Sequence, residues 1–338
     1  MDTALDSKLA KCKLEYAAAL KNLRNLHLEI VKSELDKKEK NRILNDLFEG
    51  FPSNELDIKM IANLNGVRSA SYVSNISTLI RIKSHLKSLG LIVSPGGNDK
   101  KKDLIFANSV GVRTPQVFFD SVAIDEIKVI KHTVIKPVSG SSSRNVFIVN
   151  EDLSLTAVAT GETYSEFHSS PLHSLKGDFR VEALVMKDGM AANDFKVFSF
   201  YGKAALIQEI KRVGDKKMFC WYDGDGSVLE PSTVIPKVPK NVSFFEGSGV
   251  SEELIDFQSR ISLNTPLPFI RTDFLNGEQG LVLGEITPHP GRYANDLTKY
   301  IDSALGIAFE NAWARLIKDL LDGKDFGEYV KSYGVMKN

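Results

Sequence analysis

The chain has 338 residues, long enough for two domains or three lobes with cores of their own. Basic and acidic side chains balance at 43 each, so no overall field favours nucleic acid or an anionic membrane surface. Two cysteines, Cys12 and Cys220, form neither a disulfide framework nor a CxxC pair, and both are expected to be buried or inert in a reducing compartment.

The opening "MDTALDSK" lacks a basic stretch followed by an apolar one, and no apolar run approaches about 18 residues. A soluble, cytoplasmic protein with no membrane span is the expectation. Residues 1–95 read as helical. Leu9, Tyr16, Leu23 and Ile30 recur every seven positions, with Cys12, Ala19 and Leu26 three residues on. The pattern suits a coiled-coil seam, through which the chain would form a homodimer. It equally suits a helical hairpin packing within one chain, which is the preferred reading. "KSELDKKEKNR" breaks the seam, and "ILNDLFEGF" reads as a returning helix.

Residues 56–93 suit helix, turn, helix, with Ile58, Ile61 and Ala62, then Gly66, then Val73, Ile76, Leu79 and Ile80. The segment resembles winged-helix DNA-binding domains. Among its cations, Arg68, Arg81, Lys83 and Lys87 make a thin footprint for DNA, however. A small helical unit with a solvated basic face is expected, and nucleic acid is not an expected partner.

"SPGGND" at 94–99 reads as a domain boundary. Beyond it, "KDLIFANSVGVRTP" is a short helix running into Gly111 and Pro115. "QVFFDS", "HTVIKPV", "NVFIV", "FRVEALV", "NDFKVFSFYG" and "AALIQEIKR" read as strands, and "AFENAWARLIKDLLDG" as a closing helix. Strands that meet at hairpins indicate an α+β domain with antiparallel sheets.

Three stretches carry chemistry. In "FIRTDFLNGEQGLVLGEITPHPG" a half-buried hairpin holds Arg271, Asp273 and Glu285. With "NGEQG" as the loop, Leu275 would oppose Leu281, Asp273 would oppose Leu283, and Arg271 would oppose Glu285. Glu285 and Thr287 would then share a face with Leu281 and Leu283. Asp273 and Glu285 would be diagonal neighbours, about 5–8 Å apart. Two such carboxylates repel unless a cation lies between them. That cation is either Arg271, in a structural ion cluster, or Mg²⁺ shared with nucleotide phosphates.

In "HTVIKPVSGSSSRNVFIV", Lys136 ends an apolar strand and a Gly/Ser loop follows. The loop is either an ordinary hairpin or a phosphate cradle with a lysine beneath it. In "NDFKVFSF", Asp194, Lys196, Phe198 and Phe200 share a face. The lysine there needs an anion, supplied by Asp194 or by a nucleotide phosphate or ribose. Glu182 sits among apolar residues in "FRVEALV", where a chain segment could present backbone groups to a purine edge.

In order, "NDKKKDLIFANSVGVRTP", "TVIKPVSGSSSRNV", "RVEALV" and "IRTDFLNGEQGLVLGEIT" resemble the motifs of the ATP-grasp superfamily. "NDFKVFSFYGK" and the late R-x-D…GE-x-T…P pattern are similar to the TupA-like group associated with surface polysaccharide synthesis. The resemblance spans residues 99–320. It implies two α+β lobes with antiparallel sheets, a small lobe at 96–181 and a large lobe at 182–325. A helical domain at 1–95 would precede them and a tail at 326–338 would follow.

Carried onto this sequence, the resemblance implies ATP and Mg²⁺ as cofactors. Lys136 would contact the α/β-phosphates, and Lys100 would be the earlier nucleotide lysine, with Lys101 and Lys102 as rivals. Gly140, Ser141, Ser142 and Ser143 would cover the phosphates. Glu182 and the backbone of Ala183 and Leu184 would hold adenine and ribose, with Asp194 grouped among the nucleotide-binding residues. Asp273 and Glu285 would bind Mg²⁺, and Thr287 stands where the family usually has Asn, a weaker third ligand. Arg271 would stabilise the transferred phosphoryl group or an acyl-phosphate. Lys196 would join it in the catalytic lining, with Lys211 or Arg212. His289 and Arg292 lie just beyond the metal strand, where His289 reads as structural.

The implied reaction is ATP-dependent joining of a small carboxylate and an amine through an acyl-phosphate. Two other readings stand beside it: a kinase that phosphorylates a hydroxyl, and a nucleotide-regulated DNA-binding regulator.

Overall fold

The computed structural model describes residues 3–48, 70–88, 100–138, 144–213, 216–237, 242–288, 290 and 297–333. Helices α1 (Thr3–Lys32) and α2 (Lys37–Phe48) form a hairpin. Asp36 starts α2, its Oδ1 accepting from the N–H groups of Lys38 (2.8 Å) and Glu39 (2.9 Å). Ile30 and Leu44 are buried between the helices, with Leu23, Val31, Ile43 and Leu47 around them. The heptad seam therefore packs within the chain over its second half. At 12 residues α2 spans about 18 Å, too short to cover the roughly 45 Å of the 30-residue α1. Leu9 and Tyr16 stay exposed, and so does Cys12, so of the two cysteines expected to be buried or inert only Cys220 is buried.

Of the helix-turn-helix-like segment only its second helix, α3 (Tyr72–Ser88), lies within the described residues. This helix does not belong to a separate N-terminal unit. Tyr72 is fully buried edge-on against Phe198, Phe200 and Phe269, with ring centroids 5.2–6.1 Å apart. Asp302 accepts from the Val73 N–H at 3.0 Å. At Gly306 an added Cβ would meet the backbone of Ala70 at 2.5 Å, so only glycine permits this close approach.

Helix α4 (Lys100–Ser109) leads into a six-stranded antiparallel sheet. Its strands are β1 (Val117–Ala123), β2 (Thr133–Pro137), β3 (Phe147–Val149), β4 (Leu155–Ala157), β5 (Thr163–Tyr164) and β6 (Asp178–Ala183). They are ordered β1-β6-β2-β3-β4-β5. Ile135, Phe147, Val149, Phe179 and Val181 form its apolar side with Leu172. The expected lobe border at 181/182 falls inside β6, an interior strand of this sheet.

A small hairpin, β7 (Met186–Lys187) and β8 (Met190–Ala191), precedes the second sheet. That sheet comprises β9 (Asp194–Phe200), β10 (Lys203–Val213), β11 (Lys216–Asp223), β12 (Val228–Leu229), β13 (Val242–Phe244), β14 (Ile270–Gly277) and β15 (Gly280–Thr287). The order is β12-β11-β10-β9-β14-β15, with β13 added beside β11. Helices α5 (Pro231–Val234), α6 (Glu252–Leu263) and α7 (Lys299–Leu321) pack against it. Helix α8 (Gly327–Tyr333) lies in what reads from sequence as a tail. Its Tyr329 and Tyr333 rings sit 5.6 Å from Phe106 of α4. The architecture is α+β with antiparallel sheets and a helical N-terminal region, as the sequence implies. No described helix is long and apolar enough to cross a membrane.

Candidate active site

The β14–β15 hairpin turns tightly. Gly277 pairs with Gly280 across Glu278 and Gln279, and Gly280 takes a φ of +94° that favours glycine. Phe274 pairs with Leu283, but the next rung joins Asp273 to Glu285, leaving Gly284 as an extra residue on β15. Arg271 then faces Thr287, and Leu275 faces Val282. The register expected from sequence is corrected in two respects: the loop is shorter than "NGEQG", and a bulge follows. Its physical reason is apolar. Leu281 and Leu283 are buried in the core, and alternation alone would take Glu285 and Thr287 there with them. One inserted residue reverses the alternation, so the leucines face the core and the carboxylate faces the other way.

One rung now crosses five strands: Trp221, Gln208, Lys196, Asp273 and Glu285. Asp273 is almost fully buried and carries two cations. Arg271 donates through Nε to Oδ1 (2.6 Å) and through Nη2 to Oδ2 (2.8 Å), and Lys196 Nζ donates to Oδ2 (2.5 Å). Arg271 Nη2 also reaches Thr287 Oγ1 (3.1 Å), and Lys196 Nζ lies 3.0 Å from Asp194 Oδ2. Burial alone would raise the Asp273 pKa, but Arg271 and Lys196 outweigh it and hold the carboxyl below its usual range. Burial likewise opposes charge on Lys196, yet Asp194 and Asp273 push its pKa up to about 12. Among the described residues, Gln208 and Trp221 each keep a buried side-chain N–H without a hydrogen-bond partner, Nε2 and Nε1 respectively.

The first sheet carries a second charged face. On β2, Lys136 forms an ion pair with Glu182 of β6. Arg180, which faces Lys136 across the two strands, donates to Asp120 Oδ1 through Nε (3.1 Å) and Nη2 (2.5 Å). Asp120 Oδ2 in turn lies 2.5 Å from Lys101 Nζ. Burial lowers the Lys136 pKa, with neighbouring Lys100 and Arg180 adding to the effect against the pull of Glu182. The N–H groups of Ala183 and Leu184 are committed to Gln116 O and His132 O, each at 2.8 Å. They do not serve as purine-edge donors in this arrangement.

Gly140, Ser141, Ser142, Ser143, His289 and Arg292 lie outside the described residues. Lys211 alternates with Gln208 and so projects to the opposite face from Lys196, beside Glu209. Arg212 shares the Lys196 face and is close enough to act on Lys217 together with Lys196. Lys211 and Arg212 also line a cleft of about 240 Å³ with Lys187, Asn193, Ser248 and Asn276.

Residues 97–310, well over half the chain, match a protein-family model described as TupA-like ATPgrasp. The chain belongs to the TupA-like ATP-grasp family. Membership places it among the ATP-grasp proteins. No curated protein matches it. Among solved structures it is similar to D-alanine–D-alanine ligase from Bacillus anthracis, at 15% identity over 86% of this chain and 95% of that one, TM-score 0.41. It is also similar to D-alanine–D-alanine ligase from Helicobacter pylori, at 17% identity over 68% and 65% of the two chains, TM-score 0.38. The ATP-grasp ligase PsnB, complexed with a precursor variant, Mg and ADP, is similar at 14% identity over 70% and 68%, TM-score 0.38.

The TupA-like ATP-grasp match contains all the candidate residues named from sequence. The fold brings Arg271, Asp273, Glu285, Thr287, Lys196 and Asp194 together on one face of the second sheet. Lys136 and Glu182 meet on the first sheet, with Lys100 nearby. Sequence reasoning passed over Arg180, although an arginine inside the apolar "FRVEALV" is itself a signal. It also passed over Gln208 and Glu209, adjacent polar residues inside "AALIQEIKR". Glu209 is fully buried and anchors a loop. It accepts from Asn193 Nδ2 (2.6 Å), Tyr222 OH (2.7 Å), Ser248 N (2.8 Å) and Ser248 Oγ (2.6 Å).

The chemistry of the donors fits Mg²⁺. Asp273, Glu285 and Thr287 offer two carboxylates and a hydroxyl, hard oxygen donors on one side of a hairpin. Among the described residues no group of three or more His, Cys, Asp or Glu could hold a metal alone. The arrangement suits an ion shared with phosphate oxygens rather than a protein cage.

Proposed function

We propose that this enzyme joins a small carboxylate to an amine at the expense of ATP, through an acyl-phosphate, with Mg²⁺ held by Asp273 and Glu285. The observation that carries the reading is the bulged hairpin, which sets those two carboxylates directly opposite each other beside Arg271 and Lys196. An ordinary structural ion pair would not require a bulge to bring a second carboxylate to the same face.

In this mechanism Lys136 from the first sheet and Lys100 from the start of α4 orient the nucleotide phosphates. Arg271 and Lys196 face them from the second, where charge builds as the phosphoryl group moves from ATP to the substrate carboxylate. Bound Mg²⁺ would neutralise phosphate charge and align the phosphates for transfer. The amine then attacks the acyl carbon, phosphate leaves, and an amide forms with ADP and phosphate as the other products. Arg271 is held in place by both oxygens of Asp273, so its guanidinium is oriented before substrate arrives. No side-chain nucleophile is called for. A role in surface polysaccharide synthesis, with a sugar or amino-acid acceptor, follows from the TupA-like family and belongs to the same proposal.

Calorimetry of ATP–Mg²⁺ with the wild type and with Asp273→Asn/Glu285→Gln tests the reading. Metal-dependent nucleotide binding that disappears in the double variant supports it, and a screen of carboxylates and amines for phosphate release then identifies the substrates. A folded wild type that binds no nucleotide overturns it.

A further inference from the structure

We infer that Arg180 is a nucleotide-binding residue: with Lys136 it forms a preformed seat for the phosphates of a nucleoside polyphosphate, and Glu182 receives the sugar or base end of the same molecule. The inference rests on the ATP reading above and adds a residue and a direction to it.

Arg180 is 1% exposed, and among the described residues its Nη1 has no hydrogen-bond partner. A charged N–H left unpaired in the interior is costly, and buried polar groups in native proteins nearly always have a partner. Asp120 satisfies only Nε and Nη2, and it is shared with Lys101. On the neighbouring strand Lys136 faces Arg180, and Lys100 is near enough to depress the Lys136 pKa. Four cations thus meet two carboxylates, Asp120 and Glu182, and the excess positive charge calls for an anion.

Glu182 has the complementary need. One of its oxygens takes Lys136, and the other, Oε2, is buried without a donor among the described residues. Arg180 and Glu182 lie two residues apart on β6, hence on one face and about 6.8 Å from each other along the strand. One unmet donor and one unmet acceptor at that spacing describe an elongated ligand with opposite polarity at its two ends. A phosphate oxygen meets Arg180, and a hydroxyl or amino group meets Glu182. A free inorganic anion satisfies only the first. An alternative occupant of both, a buried water pair, would leave the positive excess in place.

The test measures ADP affinity by calorimetry in the presence of Mg²⁺, and competition by inorganic tripolyphosphate, for wild type, Arg180→Met and Arg180→Gln. Loss of a charge-assisted hydrogen bond is expected to weaken ADP about 10- to 100-fold in either variant and to weaken tripolyphosphate competition similarly. Arg180→Gln retains an amide that can still donate to Asp120, so it reports even if Arg180→Met does not fold. Glu182→Gln is expected to weaken ADP while leaving tripolyphosphate competition unchanged. A folded Arg180→Gln that binds ADP and tripolyphosphate as the wild type does would overturn the seat while leaving ATP binding intact. A wild type that binds neither removes both this inference and the reading beneath it.

Discussion

Lys196 and Asp273 occupy the same rung of neighbouring strands and meet at 2.5 Å, while Arg271 grips the opposite edge of the same carboxylate at 2.6 and 2.8 Å. Asp273 is therefore the counter-ion of two buried cations: Lys196 shares a second one, Asp194, whereas among the described residues Arg271 hydrogen-bonds no other carboxylate. Removing it is expected to cost about 3–5 kcal/mol, the usual penalty for leaving a buried charge unpaired. Glu285 is half-buried and makes no hydrogen bond or ion pair within the described residues. Glu285→Gln should change stability by less than about 1 kcal/mol. Urea denaturation of Asp273→Asn and Glu285→Gln checks the contrast, and both are expected to lose Mg²⁺-dependent nucleotide binding. Equal stability losses would show that the two carboxylates are not divided in this way.

The same cluster sets a pH dependence at both ends of the scale. The folded-state pKa of Asp273 is depressed, because Arg271 and Lys196 outweigh the effect of burial. Its contribution to stability is present above the unfolded value of about 3.9 and is lost as pH falls through the lower folded value. Lys196 is raised to about 12 by Asp194 and Asp273 against its burial. Its contribution is complete below about 10.4 and fades as pH rises toward 12. In urea titrations the stability gap between wild type and Lys196→Met should hold steady from pH 7 to 10 and shrink above that. A gap that widens with alkali would contradict the assignment.

Gly284 is the residue that turns Glu285 away from the core. Its added Cβ would come no closer than 3.4 Å to Asp273 O, and its φ is not in the left-handed region, so Gly284→Ala should fold and bind nucleotide. Deleting Gly284 restores strict alternation and drives either Glu285 or Leu283 to the wrong face. Thermal melts and ADP calorimetry should separate the two, with the deletion losing binding and several kcal/mol of stability.

Glu209 ties Asn193, Tyr222 and Ser248 together from a fully buried position. Glu209→Leu leaves those donors unsatisfied and should cost about 3 kcal/mol or more, whereas Glu209→Gln retains part of the network and should cost less. At Gly247, φ is +81° and an added Cβ would meet Tyr222 Oη at 2.0 Å, so Gly247→Ala should destabilise the same loop. Differential scanning calorimetry of the three variants tests whether they act on one unit.

Cys12 is exposed on α1, and Cys220 is buried with its thiol pKa raised by desolvation. A thiol reagent should label one cysteine quickly in the native protein and the second only after denaturation. Two fast-reacting thiols would mean that the β11 core opens readily.

Much of this layout was legible from local pattern. Alternation marked β2, β9 and β10, and the charged members of the hairpin stood out because charges are costly among Phe, Ile and Leu. The register was not legible, because a bulge serves the requirement that Leu283 and Glu285 face opposite ways, and that requirement exists only once both faces have neighbours. The placement of α3 was equally hidden. Tyr72 fits a helical pattern in any setting, and its aromatic partners Phe198, Phe200 and Phe269 are far along the chain. Arg180 was readable as an oddity within an apolar strand, but its unmet N–H could be seen only once Asp120 had claimed the other two.

The first turn of α4 serves as a joint between the sheets. Lys101 holds Asp120 of the first sheet, and two residues on, Asp103 accepts from the Ile286 N–H of β15, at 3.4 Å, and from Tyr333 Oη, at 2.6 Å. Ile286 sits between Glu285 and Thr287, so a single helical turn grips the strand that carries those residues on one side and the sheet that carries Lys136 and Glu182 on the other. Helix α8 fastens the same turn through Tyr333. On the proposed nucleotide and metal assignment, the spacing between the two charged faces is thereby tied to a contact made by Tyr333, well outside both of them.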